Sequence, residues 1–468
     1  MGQVFYKDLL YELLEKGKHD TGKAVEILPF SSRRANDYRY KFRGVLGELV
    51  RIICGLEIDS KAMENKDLFI TEEGNPLSEH IAKNVETKCD DDKFDFIHFM
   101  NNYLFNNSEI NPVHPYLFNY IEEDGKKNKN EFLKFSRFIN DILIQNNKTI
   151  KEIFMNKEAD NVLTELVLEN LSSLKERKQN SSQYRPLINS LIKLYQEDII
   201  YLSKYKDYFL TSFPIITQFY VFIYVSQLII KFDQFTTGDL EDIKPFYFAL
   251  DWESINKRRM AANEFEGFKL IRNKSKNLFP HVHTLSQLSY NSLNGDPQNN
   301  EKLKVLSYTE LYSAIQEKGS EYEQEFFIQL KEWINDYRNL KKVKVLDTSN
   351  DIPSAFEVLH KCLKEGMNDE VSEKYGKNIE DLGATHFIKS RGSLGQVLNI
   401  KHEFLLLLTA VSVKDERIPL NNLFLEFQKR GVAFDLYSKK EIINLLDNLN
   451  IIDKKSDSGD SQYVKPIL

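Results

Sequence analysis

Apolar residues recur three and four positions apart along most of this chain, the spacing that gathers them on one face of an α-helix. The pattern begins in "FYKDLLYELLEKG" (5–17) and stops at Gly17, a residue suited to ending a helix. It continues through "YKFRGVLGELVRIICGLEI" (40–58), "FDFIHFMNNYLF" (94–105), "EFLKFSRFINDILI" (131–144) and "VLTELVLENLSSLKER" (162–177). "YRPLINSLIKLYQEDIIYLSKY" (184–205) adds a helix with Pro186 in its first turn, where the missing N–H costs nothing. "EYEQEFFIQLKEWINDYRNL" (321–340) and "SAFEVLHKCLKEG" (354–366) complete the series. Strand signals are rare before residue 400 and do not alternate with helices, which argues against a parallel α/β core. The expected fold class is mainly α.

Polar stretches at 119–131, 175–186, 289–302 and 365–386 mark boundaries, the second of them a basic loop. They divide the chain into an N-terminal helical region (1–125), a central helical region (126–370) and a C-terminal domain (387–468). The last is the most ordered in pattern. "IKSRGSLGQVLNI" is a basic, turn-rich entry, and "KHEFLLLLTAVSV" is an apolar helix. "ERIPL" is a short extended piece, because a residue before proline is pushed out of helical geometry. "LNNLFLEFQKRG" is a second helix stopped at Gly431, and "VAFDLY" connects onward. "SKKEIINLLDNLN" opens on Ser438 with Glu441 three residues later, the spacing of a capping box. "IIDKK", "SDSGD" and "SQYVKPI" then read as a hairpin. Helix, short strand, two helices and a two-stranded wing is the order of a winged helix-turn-helix. In its third helix Ile442, Leu445, Leu446 and Leu449 fall at core spacing, while Lys440, Asn444 and Asn448 line up on the other side. Asn can pair with adenine and Lys can reach guanine or phosphate, so this face is a candidate for the major groove, with Lys454 and Lys455 on the wing. Glu441 and Asp447 flank the same face and leave a protein partner open.

One uncharged run, 208–230, approaches the length of a membrane span. It carries Thr211, Ser212, Thr217, Gln218, Ser226 and Gln227 and has no companion, so a buried core helix is expected and no membrane partner. Net charge is −7, which excludes a globally basic nucleic-acid binder and leaves local patches. Three stand out: Arg33, Arg34, Arg39, Lys41 and Arg43; Lys257, Arg258, Arg259, Lys269, Arg272, Lys274 and Lys276; and Arg338, Lys341, Lys342 and Lys344. Arg391 at the entry to the C-terminal domain is a further candidate for DNA. Each could hold phosphates or be a solvated face. Cys54, Cys89 and Cys362 are far apart and odd in number, as in a reducing, cytoplasmic setting, and the charged N-terminus does not read as a signal peptide.

Catalytic patterns are weak. "GKHDTGKA" (17–24) has the phosphate-loop spacing but follows a helix and lacks Ser or Thr after Lys23. His281 and His283 would share one side of a strand, as metal ligands can, but no third ligand lies near in sequence, and a loop with ordinary histidines is expected. "NVETK" offers Glu86 and Lys88 as a nuclease half-motif without an apolar strand to carry it. No catalytic residue, cofactor or metal site is expected.

The segments "RGSLGQVLNIKHEFLLLLTAVSV" and "FQKRGVAFDLYSKKEIINLLDNLNIIDKKSDSGDSQYV" resemble the G component of the DNA phosphorothioation-dependent restriction system (DptG, also called DndG). The likeness covers roughly the last 80 residues and is most distinctive over 430–464. It implies a non-catalytic subunit of a bacterial anti-phage restriction complex that acts on DNA lacking a sulfur modification. The implied partners are double-stranded DNA, an ATPase subunit and a large helicase-like or nuclease-like subunit. The open alternatives are a pure protein scaffold of that complex, or a metal-dependent nuclease with a dispersed site.

Overall fold

A computed structural model describes residues 4–15, 19–31, 42–59, 76–106, 109–121, 129–171, 173–178, 181–254, 267–295, 302–454 and 462–468. These residues are mainly helical, as the periodicity predicts, with strands of two to five residues between the helices. The chain groups into two units, one of 41–182 and 195–217, the other of 1–40, 183–194 and 218–468. The expected segment 1–125 is therefore shared between them, and 387–468 lies wholly in the larger unit.

The smaller unit is organised on helix α1 (Phe42–Cys54), whose Val45, Leu46, Leu49 and Val50 are fully buried. Gly47 allows a close approach here: a Cβ would stand 2.1 Å from the carbonyl oxygen of Ile121. One turn of this apolar helix carries charge inward. Arg51 donates to the carbonyls of Asn119 and Ile121 at 3.0 and 2.9 Å and to Glu48 at 2.8 Å. Arg177 meets the other Glu48 oxygen at 2.6 Å. Arg177 arrives there because β1 (Leu56–Ile58) pairs antiparallel with β2 (Leu174–Glu176), in register Leu56↔Glu176. The stretch expected as a basic loop therefore begins as a strand, since residues 174–176 complete the ladder with the end of the α1 segment.

Helix α2 (Lys206–Phe232) is the uncharged run. It is the one helix among the described residues long and apolar enough to cross a membrane, and 89% of its most apolar window is buried. Its polar residues explain why it behaves as core. Gln218 donates to the carbonyl of Leu382 at 2.8 Å, and Ser226 donates to that of Phe222 at 2.7 Å. Gln227 exchanges two hydrogen bonds with the backbone of Lys244, at 2.7 and 3.0 Å. Each buried polar group is thus satisfied by protein, the condition for placing it inside.

In the larger unit two short strands, β3 (Phe246–Tyr247) and β4 (Ala249–Leu250), follow α2. Helix α3 (Leu278–Leu288) is buried on all sides. Helices α4 (Ser320–Lys341) and α5 (Ile352–Gly366) pack on one another. They run in the same direction. Lys331 reaches back to the carbonyl of Ser349, just before α5 begins, at 3.0 Å. At the far end the Lys344 N–H bonds to Glu365 at 2.9 Å. The hydroxyl of Tyr337 lies where a Cβ on Gly366 would come within 2.4 Å, so the two C-termini sit side by side.

The C-terminal segment starts with a hairpin, β5 (Ile388–Ser390) and β6 (Gln396–Ile400), turned through Gly392 and Gly395 at positive φ. Its turn-rich reading is thereby resolved into paired strands. Helix α6 (His402–Val413), β7 (Ile418–Pro419) and α7 (Leu420–Lys429) follow in the expected order. The connection is a strand, β8 (Val432–Ala433), parallel to β3, and β6 is parallel to β4. Helix α8 (Leu436–Asn448) precedes β9 (Ile452–Lys454) and β10 (Gln462–Val464), and these last two join β7 in a three-stranded antiparallel sheet ordered β9-β10-β7.

Candidate nucleic-acid interface

Helix α8 begins earlier than its sequence suggests. Asp435 is the cap and accepts the Ser438 N–H at 2.8 Å. The expected capping box of Ser438 and Glu441 does not form, because the Ser438 hydroxyl is buried and donates to both oxygens of Glu253, at 3.0 and 2.9 Å. Asp435 and Ser438 are both good caps, and the buried carboxylate takes the serine. Replacing Asp435 with alanine is expected to cost about 1 kcal/mol, the ordinary worth of a cap, read as a lower thermal midpoint.

Lys440, Asn444 and Asn448 are all exposed on α8, as the spacing predicts, together with Glu441 and Asp447. The core seam is narrower than expected. Ile442 and Leu446 are fully buried, Leu445 is half-buried and Leu449 is exposed. At the start of the helix Leu436 and Tyr437 are 76% and 63% exposed. Lys454 closes β9 opposite Gln462, while Lys455 and the expected wing tip lie outside the described residues. Two cations next to the adjoining strands are engaged by the sheet: Arg417 and Lys465 approach Asp453 at 3.8 and 3.5 Å, and Arg417 also covers the ring of Tyr463.

The basic clusters fare differently. Of the first, Arg33, Arg34, Arg39 and Lys41 lie outside the described residues, and Arg43 is half-buried on α1. Of the second, Lys257, Arg258 and Arg259 are likewise outside, Arg272 pairs with Glu380 at 3.1 Å and Lys274 pairs with Asp233. Arg391 is half-buried and engaged within the fold. Its guanidinium donates to the carbonyls of Leu250 and Glu253 at 2.7 and 3.1 Å and to Asn399 at 2.8 Å. It brackets the turn after β4 to the β5–β6 hairpin. The third cluster, on the end of α4, keeps its charges. Lys342 and Lys344 are exposed, Arg338 and Lys341 half-buried, and none of the four makes an ion pair among the described residues.

His281 and His283 stand on helix α3, not in a loop or on a strand, and both are buried. Two residues along a helix is about 200° of rotation, so the rings diverge. His281 bonds to the Tyr308 hydroxyl at 2.9 Å and stacks on His360 with centroids 3.9 Å apart, whereas His283 lies edge-on to Phe279 and His19. Burial pushes the His283 imidazole down to about 3 and that of His360 to about 2, so both are neutral in ordinary solution. Burial also raises the Asp233 carboxyl, but the contacts from His281, Lys274 and Asn277 outweigh it and hold the group well below the usual range. The arrangement is a packed polar core. Glu86 and Lys88 lie in an exposed loop before helix Asp90–Leu104. Among the described residues no three His, Cys, Asp or Glu side chains are grouped to hold a metal ion.

No protein-family model matches the chain, and no curated protein matches it.

Proposed function

We propose that this chain is a non-catalytic DNA-binding and assembly subunit of a phosphorothioation-dependent restriction complex, acting on DNA that lacks the sulfur modification. The observation that carries the DNA-binding part is the exposed stripe of Lys440, Asn444 and Asn448 on α8, followed directly by the β9–β10 strand pair. In this reading α6, β7, α7, α8 and the strand pair form a winged helix, α8 enters the major groove, and β9–β10 lies along the backbone. The membership of a restriction complex rests on the resemblance of the last 80 residues, roughly, and its partners are the ATPase and the helicase-like or nuclease-like subunits.

The test is fluorescence anisotropy with duplex DNA and the double variant Lys440→Glu, Asn444→Ala. Binding is expected to weaken by about tenfold or more, since one good base contact is worth roughly 1–3 kcal/mol. Unchanged affinity in a variant of unchanged melting temperature would move the module to its second reading, a protein contact. Leu436 and Tyr437 favour that reading, because two large apolar side chains stand in solvent at the head of the same helix, with Glu441 and Asp447 beside it.

A further inference from the structure

The parallel packing of α4 and α5 assembles a charged edge that neither helix has alone. Arg338, Lys341, Lys342 and Lys344 come from the end of α4 and the turn after it, and Lys361 and Lys364 from the last turns of α5. The Lys344 N–H bond to Glu365 and the contact of Tyr337 with Gly366 bring these two groups to one place. Lys342, Lys344, Lys361 and Lys364 are exposed. Neutralisation is slight. Lys361 lies 3.6 Å from Glu357, and Asp347 is engaged by Lys331 at 3.5 Å. The other five cations make no ion pair among the described residues, and Glu365 stands beside them with its carboxylate on the Lys344 N–H.

The bland account is that these cations complement the negative ends of two helix dipoles. Each end is equivalent to roughly half an elementary charge, so the pair absorbs about one cation. The excess remains, in a chain whose net charge is −7. A locally positive edge on an acidic protein attracts a polyanion while the rest of the surface repels it, and so it orients the ligand.

We infer that this shared C-terminal edge of α4 and α5 is a docking surface for the phosphodiester backbone of nucleic acid. It is a second contact, separate from α8, and it rests on the reading of the chain as a DNA-binding subunit. Lysines without fixed partners suit it, because backbone contact needs point charges and not base-specific geometry.

The experiment compares the full chain with Lys342→Glu, Lys344→Glu, Lys364→Glu and with the milder triple Gln variant. Each is titrated with duplex DNA, single-stranded DNA and poly-glutamate across a salt series. Each lost phosphate contact lowers the slope of log affinity on log salt by about 0.9 for duplex, so the Glu variant is expected to lose about 2–3 units of slope. The Gln variant is expected to fall between it and the parent, with melting temperatures unchanged in both. Unchanged slope and affinity in folded variants, while the parent binds DNA, would overturn this surface alone. Loss in the α8 variant without loss here would do the same, and the converse would retain this surface and remove α8. A parent chain that binds no DNA overturns both readings. Poly-glutamate binding that exceeds DNA binding and vanishes in the Glu variant would reassign the edge to an acidic protein and overturn the proposal.

Discussion

Replacing Glu48 with alanine is expected to destabilise the protein by about 3–5 kcal/mol, because it leaves a buried guanidinium without its counter-charge. Arg51 is 5% exposed, and its other donors already serve the carbonyls of Asn119 and Ile121. It cannot swing into water without releasing those acceptors as well. Arg177 loses its nearer partner in the same substitution and keeps, among the described residues, only Glu57, at 4.0 Å. The pH dependence has a definite sign. Burial raises the Glu48 carboxyl, but Arg51 and Arg177 outweigh it and hold the group below its ordinary value. A depressed folded-state pKa contributes stability in full above the unfolded pKa of about 4.3, and loses it as pH falls through the folded value. Urea midpoints of parent and variant should therefore lie well apart at neutral pH and converge in acid. A constant gap across that range would show that the ion pair is not the cause.

The second large effect is expected at Glu253. Its carboxylate accepts the Leu250 N–H at 3.0 Å and the Ser438 hydroxyl on both oxygens, and it is 8% exposed. Alanine would strand two buried donors, at roughly 1–3 kcal/mol each, for about 3 kcal/mol in all. The loss is also positional. Ser438 stands in the first turn of α8, so the carboxylate fixes the helix that presents Lys440 and Asn444. Glu253→Ala should lower the urea midpoint and weaken DNA binding together, whereas Glu253→Gln, which keeps an acceptor, should retain part of both. An unchanged midpoint for the alanine variant would sink the argument.

Much of the helical framework was legible from spacing alone, since an amphipathic helix is a local object with a period of 3.6. The core reading of α2 was legible too, because a run that mixes Thr, Ser and Gln with aromatics asks for protein partners that lipid does not offer. The errors share one cause. Ser438 reads as a cap from its spacing, but Glu253, 185 positions away, claims its hydroxyl. The carbonyls that Arg391 serves arrive with β4, which reaches β6 by a parallel pairing that no short-range pattern announces. His281 and His283 read as part of a loop, yet they stand on α3, because a helix buried on all sides shows no alternation of apolar and polar faces to read. Lys361 and Lys364 were absent from the basic clusters because they belong to another segment, and a scan along the chain cannot see that two helices end side by side.

Helix positions, the exposed stripe on α8 and the order of elements after residue 402 follow from short-range pattern, because backbone geometry and one-sided burial repeat within a few residues. Which charges are spent inside and which face solvent does not, because a cation is neutralised by whatever acid the fold brings to it. That accounting left Arg391 and Arg51 as internal brackets and gathered Lys342, Lys344 and Lys364 on the edge of α4 and α5.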